Sequence, residues 1–247
     1  MKNFILKAMG AGAGIILAGS IGVRAEVLYQ DTTTDLGSNF TLANYQQIGE
    51  EVWLGDLLPA SLTNFSFEYY SPDTSWSGTV TADVKLYENN GPLTNGYASP
   101  GTLFYDSGSE VFPNPIAYNG NSFSNSLLAI FDLPDLLYPG AGGTPMSPGF
   151  ILPTNFTFTV TFAGLTGSET VGLPIFEPPA VGTNYGDYWY DASGNWELLT
   201  NSLGGPVAFG AEFNGTTTPT PEPTVLCLGA LGAAAFTVLA RRRQRRG

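Results

Sequence analysis

Acidic side chains are the one group of residues in this chain whose type and number offer catalytic chemistry. The 247-residue sequence contains no histidine and a single cysteine, which excludes a serine–histidine–aspartate triad, a cysteine–histidine pair and a zinc site with histidine ligands. A glycoside hydrolase needs two carboxyl groups about 5 to 9 Å apart. Glu50 and Glu51 are adjacent, and successive residues of a strand point to opposite faces. We therefore expect these two side chains to diverge, and the sequence predicts that the protein is not an enzyme.

Acidic residues also cluster beside glycine in a way that suggests calcium. Asp187, Asp191 and Glu197 surround one glycine, and Asp31 and Asp35 precede another. Carboxylate oxygens are the ligands that Ca²⁺ prefers, although neither spacing fits an EF-hand loop. Aspartate is also common in turns, where its side chain accepts hydrogen bonds from nearby backbone N–H groups. We expect turns here and keep calcium, held by the first three carboxylates, as the alternative cofactor.

Aromatic side chains offer a second kind of binding chemistry, because a sugar ring can stack on an exposed aromatic ring. The chain has four tryptophans and 12 tyrosines, and segment 185–191 reads Tyr-Gly-Asp-Tyr-Trp-Tyr-Asp. In a strand, Trp189 would be out of phase with Tyr188 and Tyr190, so that one of the two sets faces outward. Packing in the core explains the same pattern and is preferred, since large aromatic residues dominate cores. Trp189 is the candidate ligand residue if the outward set is exposed.

Short alternating segments position these residues and predict antiparallel β-strands. Segments 62–69, 80–87 and 156–162 alternate with a period of two, and the last one places phenylalanine and valine inward and threonine outward. Further candidate strands are 52–54, 102–105, 127–131, 188–190, 196–199 and 207–213, with Asn-Gly or Gly-Asn turns at 90–91, 95–96, 119–120 and 194–195. No amphipathic helical pattern occurs between residues 26 and 220. The sequence predicts an all-β protein, a jelly-roll-like antiparallel β-sandwich formed as one domain by residues 26–215.

The N-terminus has the three parts of a signal peptide. Lys2 and Lys7 give a positive start, residues 8–21 form an apolar run, and Val23 and Ala25 occupy the small-residue positions that signal peptidase reads. We expect signal peptidase to remove residues 1–25. A retained anchor is the alternative, but the apolar run is short and rich in glycine for a membrane span.

The C-terminus carries a second address in residues 216–247. After a Thr/Pro-rich linker come Pro221, Glu222 and Pro223, and then an uncharged apolar run at 224–240. As a helix this run would be about 25 Å long, the short end of what crosses a bilayer. A cluster of arginines ends the chain: Arg241, Arg242, Arg243, Arg245 and Arg246. Such a cluster stays on the cytoplasmic side, so the body is expected outside the inner membrane.

This arrangement resembles the PEP-CTERM sorting signal, in which a Pro-Glu-Pro motif precedes a short hydrophobic helix and a terminal arginine cluster. The resemblance covers residues 221–247. It implies an inner-membrane intermediate, processing by an exosortase near Pro221, Glu222 and Pro223, and delivery to the cell surface or an extracellular, exopolysaccharide matrix of a Gram-negative bacterium. An ordinary C-terminal stop-transfer anchor is the alternative.

Removal of both ends leaves a strongly acidic body. Lys85 is the only basic residue between residues 26 and 220, and 20 of the 21 acidic residues lie there, which gives this segment a formal charge of −19. Nucleic acid is excluded as a partner, because the body has no cations to replace phosphate counterions. Highly charged surfaces of this kind keep proteins soluble and repel polyanions.

These observations together predict an exported surface or matrix protein with a structural or adhesive role. Its expected partners are signal peptidase, an exosortase and, transiently, the inner membrane. A carbohydrate-binding module with polysaccharide as its partner is the alternative, followed by a glycoside hydrolase.

Overall fold

The computed structural model describes residues 24–54, 60–73, 75–112, 126–191, 193–200 and 207–217. All but the last two residues of the predicted signal peptide lie outside this part, as do the sorting motif at 221–223, the apolar run at 224–240 and the arginine cluster. These features therefore stay predictions. Within the described part, no helix has the length and apolar character needed to cross a membrane.

Sixteen strands and one short helix make up the described part of the chain. In chain order they are β1 (Arg24–Asp31), β2 (Asp35–Leu42), β3 (Gln47–Trp53), β4 (Ala60–Tyr70), β5 (Thr81–Glu88), β6 (Leu93–Thr94), β7 (Tyr97–Ala98), β8 (Leu103–Asp106), β9 (Glu110–Val111), β10 (Ser126–Phe131), α1 (Leu133–Leu137), β11 (Asn155–Ala163), β12 (Val171–Phe176), β13 (Thr183–Asp191), β14 (Trp196–Leu199), β15 (Ala208–Phe209) and β16 (Ala211–Thr217).

The strands form two seven-stranded antiparallel sheets and a small hairpin. Sheet A has the order β1-β16-β4-β12-β15, with β10 added to β4 and β2 added to β12. Sheet B has the order β14-β13-β3-β11-β5-β8, with β9 added to β5, and β6 pairs with β7. The prediction of an all-β, antiparallel structure is confirmed.

Aromatic side chains join the two sheets into a sandwich. The ring centroid of Phe213, on β16 of sheet A, lies 5.0 Å from that of Phe156 and 5.6 Å from that of Phe158, both on β11 of sheet B. Phe65 of β4 meets Tyr105 of β8 in the same way at 5.8 Å. All five side chains are buried. Each large aromatic side chain contributes more buried apolar area than any aliphatic one, so these residues dominate the packing energy of the core.

The period-two pattern predicts the inner face of sheet A correctly along β4. Phe65, Phe67 and Tyr69 are buried there, whereas Ser66 and Glu68 are partly exposed. The same alternation holds along β5 of sheet B. One face of each strand is in the core and the other is not, which is the arrangement that a period of two indicates.

β11 departs from this simple alternation. Thr157 and Thr159 lie on its outer face as expected, yet both side chains are 0% exposed. Thr157 Oγ1 donates to Asn89 Oδ1 at 2.7 Å, and Gln47 Nε2 donates to Thr159 Oγ1 at 2.7 Å. Because β11 lies between β3 and β5, long side chains from both neighbours cover its threonines. The outer face of sheet B therefore carries a layer of polar and aromatic side chains, and the candidate site lies in this layer.

The Asn-Gly turn expected at 95–96 is confirmed. Asn95 and Gly96 have φ angles of 53° and 90° and connect β6 to β7. A type I′ turn requires positive φ at both central residues, and asparagine followed by glycine tolerates this best. The turn at Gly194 connects β13 to β14, as expected. The turn predicted at 119–120 lies outside the described residues.

Several elements have no counterpart in the sequence pattern, among them β1, β2, β12 and α1. β12 is buried along its whole length, so it shows no alternation, and Pro174 within it argues against a central strand. α1 has five residues, too few for a helical period, and begins at a capping box formed by Asp132 and Asp135. β1 begins at Arg24, which is paired with Thr217 at the end of β16. The outermost strands β1 and β16 thus begin at Arg24 and end at Thr217.

Candidate functional site

β3 presents two adjacent acidic residues to opposite faces of sheet B. Glu50 Oε1 accepts a hydrogen bond from Tyr29 Oη at 2.9 Å, and Glu50 Oε2 accepts one from Phe209 N at 2.6 Å. Both donors belong to sheet A, so Glu50 points into the sandwich. Glu51 Oε1 accepts instead from Asn155 Nδ2 of the neighbouring β11, at 2.6 Å, on the outer face. The expected divergence of Glu50 and Glu51 is confirmed, and these two carboxyl groups cannot act on one substrate bond.

Glu50 belongs to an inner acidic cluster, which we define as Tyr29, Asp31 and Glu50. Burial raises the pKa of Glu50 well above its ordinary value, although the hydrogen bond from Phe209 opposes this shift. Burial, together with repulsion from Glu177, raises the pKa of Asp31 to about 7. Asp31 is 0% exposed, and neither of its carboxyl oxygens has a hydrogen-bond partner among the described residues. Because solvent does not reach these carboxyl groups, the cluster belongs to the interior and not to a binding surface.

Glu51 is the centre of the candidate site on the outer face. Its side chain is mostly buried and lies two residues from Trp53 on the same side of β3. Burial raises the pKa of Glu51, and hydrogen bonding by Asn155 opposes the shift. Thr157, opposite Glu51 in register, donates to Asn89, and hydrogen bonding by the side chains of Asn89 and Trp53 also opposes the rise in the pKa of Glu51. A carboxyl group and two side-chain amides thus converge on one spot and supply both donors and acceptors.

Two exposed aromatic rings flank this polar group. Trp53 is 37% exposed and Tyr185 is 40% exposed, and their ring centroids lie 5.6 Å apart with the planes at 79°. Tyr97 of β7 contacts Tyr185 edge-to-face, at a centroid distance of 4.6 Å. Such pairs are worth about 0.5 to 1.5 kcal/mol beyond their buried area, so the contacts restrain the rings in these orientations. We call Trp53, Tyr97 and Tyr185 the aromatic rim.

A narrow depression lies beside the rim on the same face, and it has no room for a water molecule. Its lining residues are Glu51, Tyr97, Tyr185, Asp187, Trp189 and Leu198. None of the six is basic, and burial raises the pKa of Asp187. Since the depression itself is closed, a ligand would contact the exposed ring faces of Trp53 and Tyr185, which suit the C–H face of a sugar ring.

Trp189 is the buried floor of this depression and not an exposed ring. Its side chain is 1% exposed, so the expectation that Trp189 could stack on a ligand is wrong for this structure. Trp189 lies opposite Gly49 of β3, on the outer face of sheet B and outside the main core. A Cβ atom at Gly49 would collide with the backbone of Phe158 and Thr159 on β11, so this position accepts only glycine. The exposed rings are those of Trp53 and Tyr185.

The three carboxylates predicted as calcium ligands do not meet. Asp187 and Asp191 are four residues apart on β13, or about 13 Å at 3.3 Å per residue, whereas oxygen ligands lie about 2.5 Å from Ca²⁺. Asp191 Oδ1 accepts from Gly194 N at 2.5 Å, which is a turn contact, and Glu197 is exposed on β14. Across the described ranges, no three Asp, Glu, Cys or His side chains are grouped so that they could hold a metal ion. The structure thus does not support a calcium site made by this trio.

Lys85 forms the ion pairs of the outer face. Its Nζ lies 3.0 Å from Asp83 Oδ2 and 3.4 Å from Asp106 Oδ2. Burial raises the pKa of Asp83 to about 6, and Lys85 opposes that shift. The only basic residue between residues 26 and 220 is therefore already paired, and this leaves it poorly placed to receive an anionic ligand.

In comparisons with known proteins, no family model, curated protein or solved structure matches this chain. Its function is therefore inferred from its own residues.

Sequence reasoning does not single out Glu51, Trp53 and Asn155 as a group. The signal available in the sequence is the alternation along β3, which places Glu51 and Trp53 on the face opposite Glu50. The partners come from elsewhere in the chain, since Asn155 is 104 residues from Glu51. Only the register of β11 and β13 against β3 brings Asn155 and Tyr185 to this point.

Proposed function

We propose that this protein is exported and sorted to the cell surface or exopolysaccharide matrix of a Gram-negative bacterium, where a jelly-roll-like sandwich serves a structural or adhesive role without catalysis. One observation carries the proposal: a Pro-Glu-Pro motif at 221–223, an apolar run at 224–240 and five arginines follow one another at the C-terminus. The signal-peptide pattern at the other end supports export, because both ends indicate the same topology.

The fold of the body is compatible with removal of both ends. Among the described residues, the core cluster extends from Leu28 to Phe213 and joins both sheets, as expected for an independently folding domain. β1 and β16 are neighbouring antiparallel strands, with Arg24 opposite Thr217. The segments that precede and follow the body are thus joined to adjacent strand ends, which supports processing of both without disruption of the core.

The charge of the body supports a solvated extracellular role. Twenty acidic residues and one lysine between residues 26 and 220 keep the surface hydrated and limit self-association through repulsion. A protein of this kind is suited to a crowded matrix, where it must remain soluble.

A carbohydrate-binding module is the second candidate function, favoured by the exposed rings of the aromatic rim. A glycoside hydrolase ranks below it. Glu51 and Asp187 line the same depression and would be its acid and base, and hydrolysis by the purified body, lost in Glu51→Gln, would establish this alternative.

Mass spectrometry of the native protein, isolated from the surface and matrix fractions, tests the proposed sorting. We expect a mature chain that begins at Glu26 and ends near Pro221. The double variant Pro221→Ala/Pro223→Ala should keep its C-terminal segment and stay in the membrane fraction, because the motif for processing is gone. Pro219→Ala, a substitution in the adjacent linker, is the matched control and should be processed normally. A wild-type surface protein that still ends at Gly247 would contradict the proposal.

A further inference from the structure

The strongest unexplained feature of the described surface is the aromatic rim. Trp53 and Tyr185 expose more than a third of their surface, although both lie on strands inside sheet B and not on loop tips. Tryptophan and tyrosine combine an apolar ring with a polar group and are enriched at binding surfaces, where such rings contact a partner. We propose that the aromatic rim, together with Glu51 and Asn155, binds a neutral polysaccharide. Polysaccharide binding at this site would supply the adhesive contact of the role proposed above. The proposal rests on that role, because export is what would bring the protein to a polysaccharide.

The rim is held in place before any ligand arrives. Trp53 is opposite Asn155 of β11 on one side and Thr183 of β13 on the other, so its backbone is fixed by two neighbouring strands. Tyr185 is held between Trp53 and Tyr97 by edge-to-face contacts. Binding to rings that are already ordered loses little side-chain entropy, which favours affinity for a ligand with weak individual contacts.

Polar groups lie where the hydroxyl groups of a sugar would need partners. The face of a sugar ring presents C–H groups that pack on an aromatic face, while its edge presents hydroxyls that donate and accept hydrogen bonds. Glu51 accepts from Asn155, and the side chains of Asn89 and Trp53 also hydrogen-bond to this carboxyl group, so the amide oxygen of Asn155 and the remaining lone pairs of Glu51 supply the acceptors. Asp187, on the same depression, adds further acceptors.

The charge of the site selects a neutral ligand. The carboxyl groups of Glu51 and Asp187 line the depression, and none of its lining residues is basic. Lys85 is paired with Asp83 and Asp106. A uronic acid or sulfated polymer would therefore meet repulsion without a compensating cation.

The same face continues beyond the rim, which favours a polymer over a single sugar. Tyr87 is in register with Thr157, which is in turn in register with Glu51. The ring of Tyr87 contacts Trp196 edge-to-face at 5.6 Å, and its hydroxyl accepts from Gln47 at 3.0 Å. Tyr87 thus lies on the row that crosses sheet B from Glu51, whereas Trp196 lies opposite Asp191. Both rings are partly exposed, and a chain of sugars that crosses the sheet could contact them.

Affinity electrophoresis of the body, residues 24–217, provides the test. The gels would contain hydroxyethylcellulose, xyloglucan, galactomannan or soluble starch as neutral probes, and alginate as the anionic probe. We expect at least one neutral polymer to retard the wild type and alginate not to. Tyr185→Ala and Trp53→Ala should each weaken that retardation about tenfold, because a lost stacking contact is worth about 1.4 kcal/mol. Tyr185→Phe should retain most of the binding, since it keeps the ring.

Tyr138→Ala is the matched control, because Tyr138 is 81% exposed at the end of α1 and far from the rim in sequence. It should bind as the wild type does, and circular dichroism should show all variants folded. The proposal is overturned if folded wild type binds none of the four neutral polymers or prefers alginate. It is also overturned if binding survives both rim substitutions, or if Tyr138→Ala weakens binding as much as they do. These outcomes are independent of the sorting experiment: a processed surface protein that binds no polymer overturns the binding site alone, and an unprocessed protein that binds overturns the sorting alone.

Discussion

Glu50 and Glu51 are neighbours in the chain and occupy opposite environments. Glu50 lies between the sheets, accepts hydrogen bonds from Tyr29 and Phe209, and is 1% exposed. Glu51 lies on the outer face of sheet B, accepts from Asn155, and lines a depression beside exposed rings. The pKa of each carboxyl group is raised chiefly by burial. The same residue type, displaced by one position, thus stabilises the interior in one case and forms part of a surface site in the other.

The comparison shows how a body with one lysine accommodates its buried acids. The inner acidic cluster faces no basic group among the described residues, so its carboxyl groups avoid the cost of a buried charge by remaining protonated to higher pH. On the outer face, Asp83 and Asp106 share Lys85, and Glu51 has the amide of Asn155. Protonation therefore takes the place of ion pairing for the carboxyl groups in the interior. On the outer face, side-chain amides and the one lysine are the partners of the carboxyl groups.

Removal of Glu50 is expected to have the largest effect on stability. Glu50→Ala leaves the Tyr29 hydroxyl without an acceptor and the N–H of Phe209 without a partner, and it opens a cavity, which should cost about 3 to 5 kcal/mol. Glu51→Ala removes the hydrogen bonds that this carboxyl group makes on the outer face, where water can replace them for partly exposed partners such as Trp53, and should cost about 1 to 2 kcal/mol. Urea unfolding of the body at pH 7 measures both. Equal losses would mean that the two faces of β3 do not differ as described.

Asp31 is expected to make stability depend on pH. Its pKa is raised from 3.8 to about 7, so its contribution is fully present below about pH 4 and is lost as pH rises through 7. Asp31→Asn cannot ionise and should be roughly 3 to 4 kcal/mol more stable than the wild type at pH 8, and close to it at pH 4. Thermal unfolding across this range measures the difference. The exposed Glu197→Gln serves as the control and should follow the wild-type pH profile; a flat difference for Asp31→Asn would refute the protonation argument.

Substitution of Lys85 should change the free energy of unfolding less than substitution of Glu50 or Asp31. Lys85→Met leaves Asp83 and Asp106 without their cation on a half-buried surface, which should cost about 1 to 2 kcal/mol at pH 8. The loss should shrink as pH falls below 6, because Asp83 has a pKa of about 6 and takes up a proton. Lys85→Arg keeps the charge and should remain near the wild type. A loss in Lys85→Met that is equal at pH 5 and pH 8 would show that packing of the lysine stem, and not its charge, is responsible.

The fold was predictable from the sequence where a strand has one buried face. β4 and β5 have this pattern, and their inner residues were identifiable from a period of two. β12 was not, because it is buried on both faces and contains Pro174. β2 has the opposite character, with most of its residues exposed, and so lacks a hydrophobic signal. Strands that are entirely inside or mostly outside carry no alternation to read.

The candidate site was less predictable than the fold. The sequence indicated correctly that aromatic residues are the feature to examine for ligand binding, but it favoured Trp189 for that role. Trp189, opposite Gly49 in register, is buried, whereas Trp53 and Tyr185 are partly exposed. Whether a ring on the outer face is covered depends on side chains of adjacent strands. Those strands are distant in the sequence, so a local pattern does not reveal which ring is exposed.

The sequence by itself determined the acidity of the body, the terminal patterns that predict export, and the divergence of Glu50 and Glu51, because composition, order and a period of two are properties of the chain alone. Tertiary structure decided the rest. It set Asn155 beside Glu51 and Tyr185 beside Trp53 through the register of three strands, and it buried Asp31 and Trp189. The physical reason is that strand register and side-chain coverage depend on contacts between segments about a hundred residues apart, whereas alternation depends only on the next residue but one.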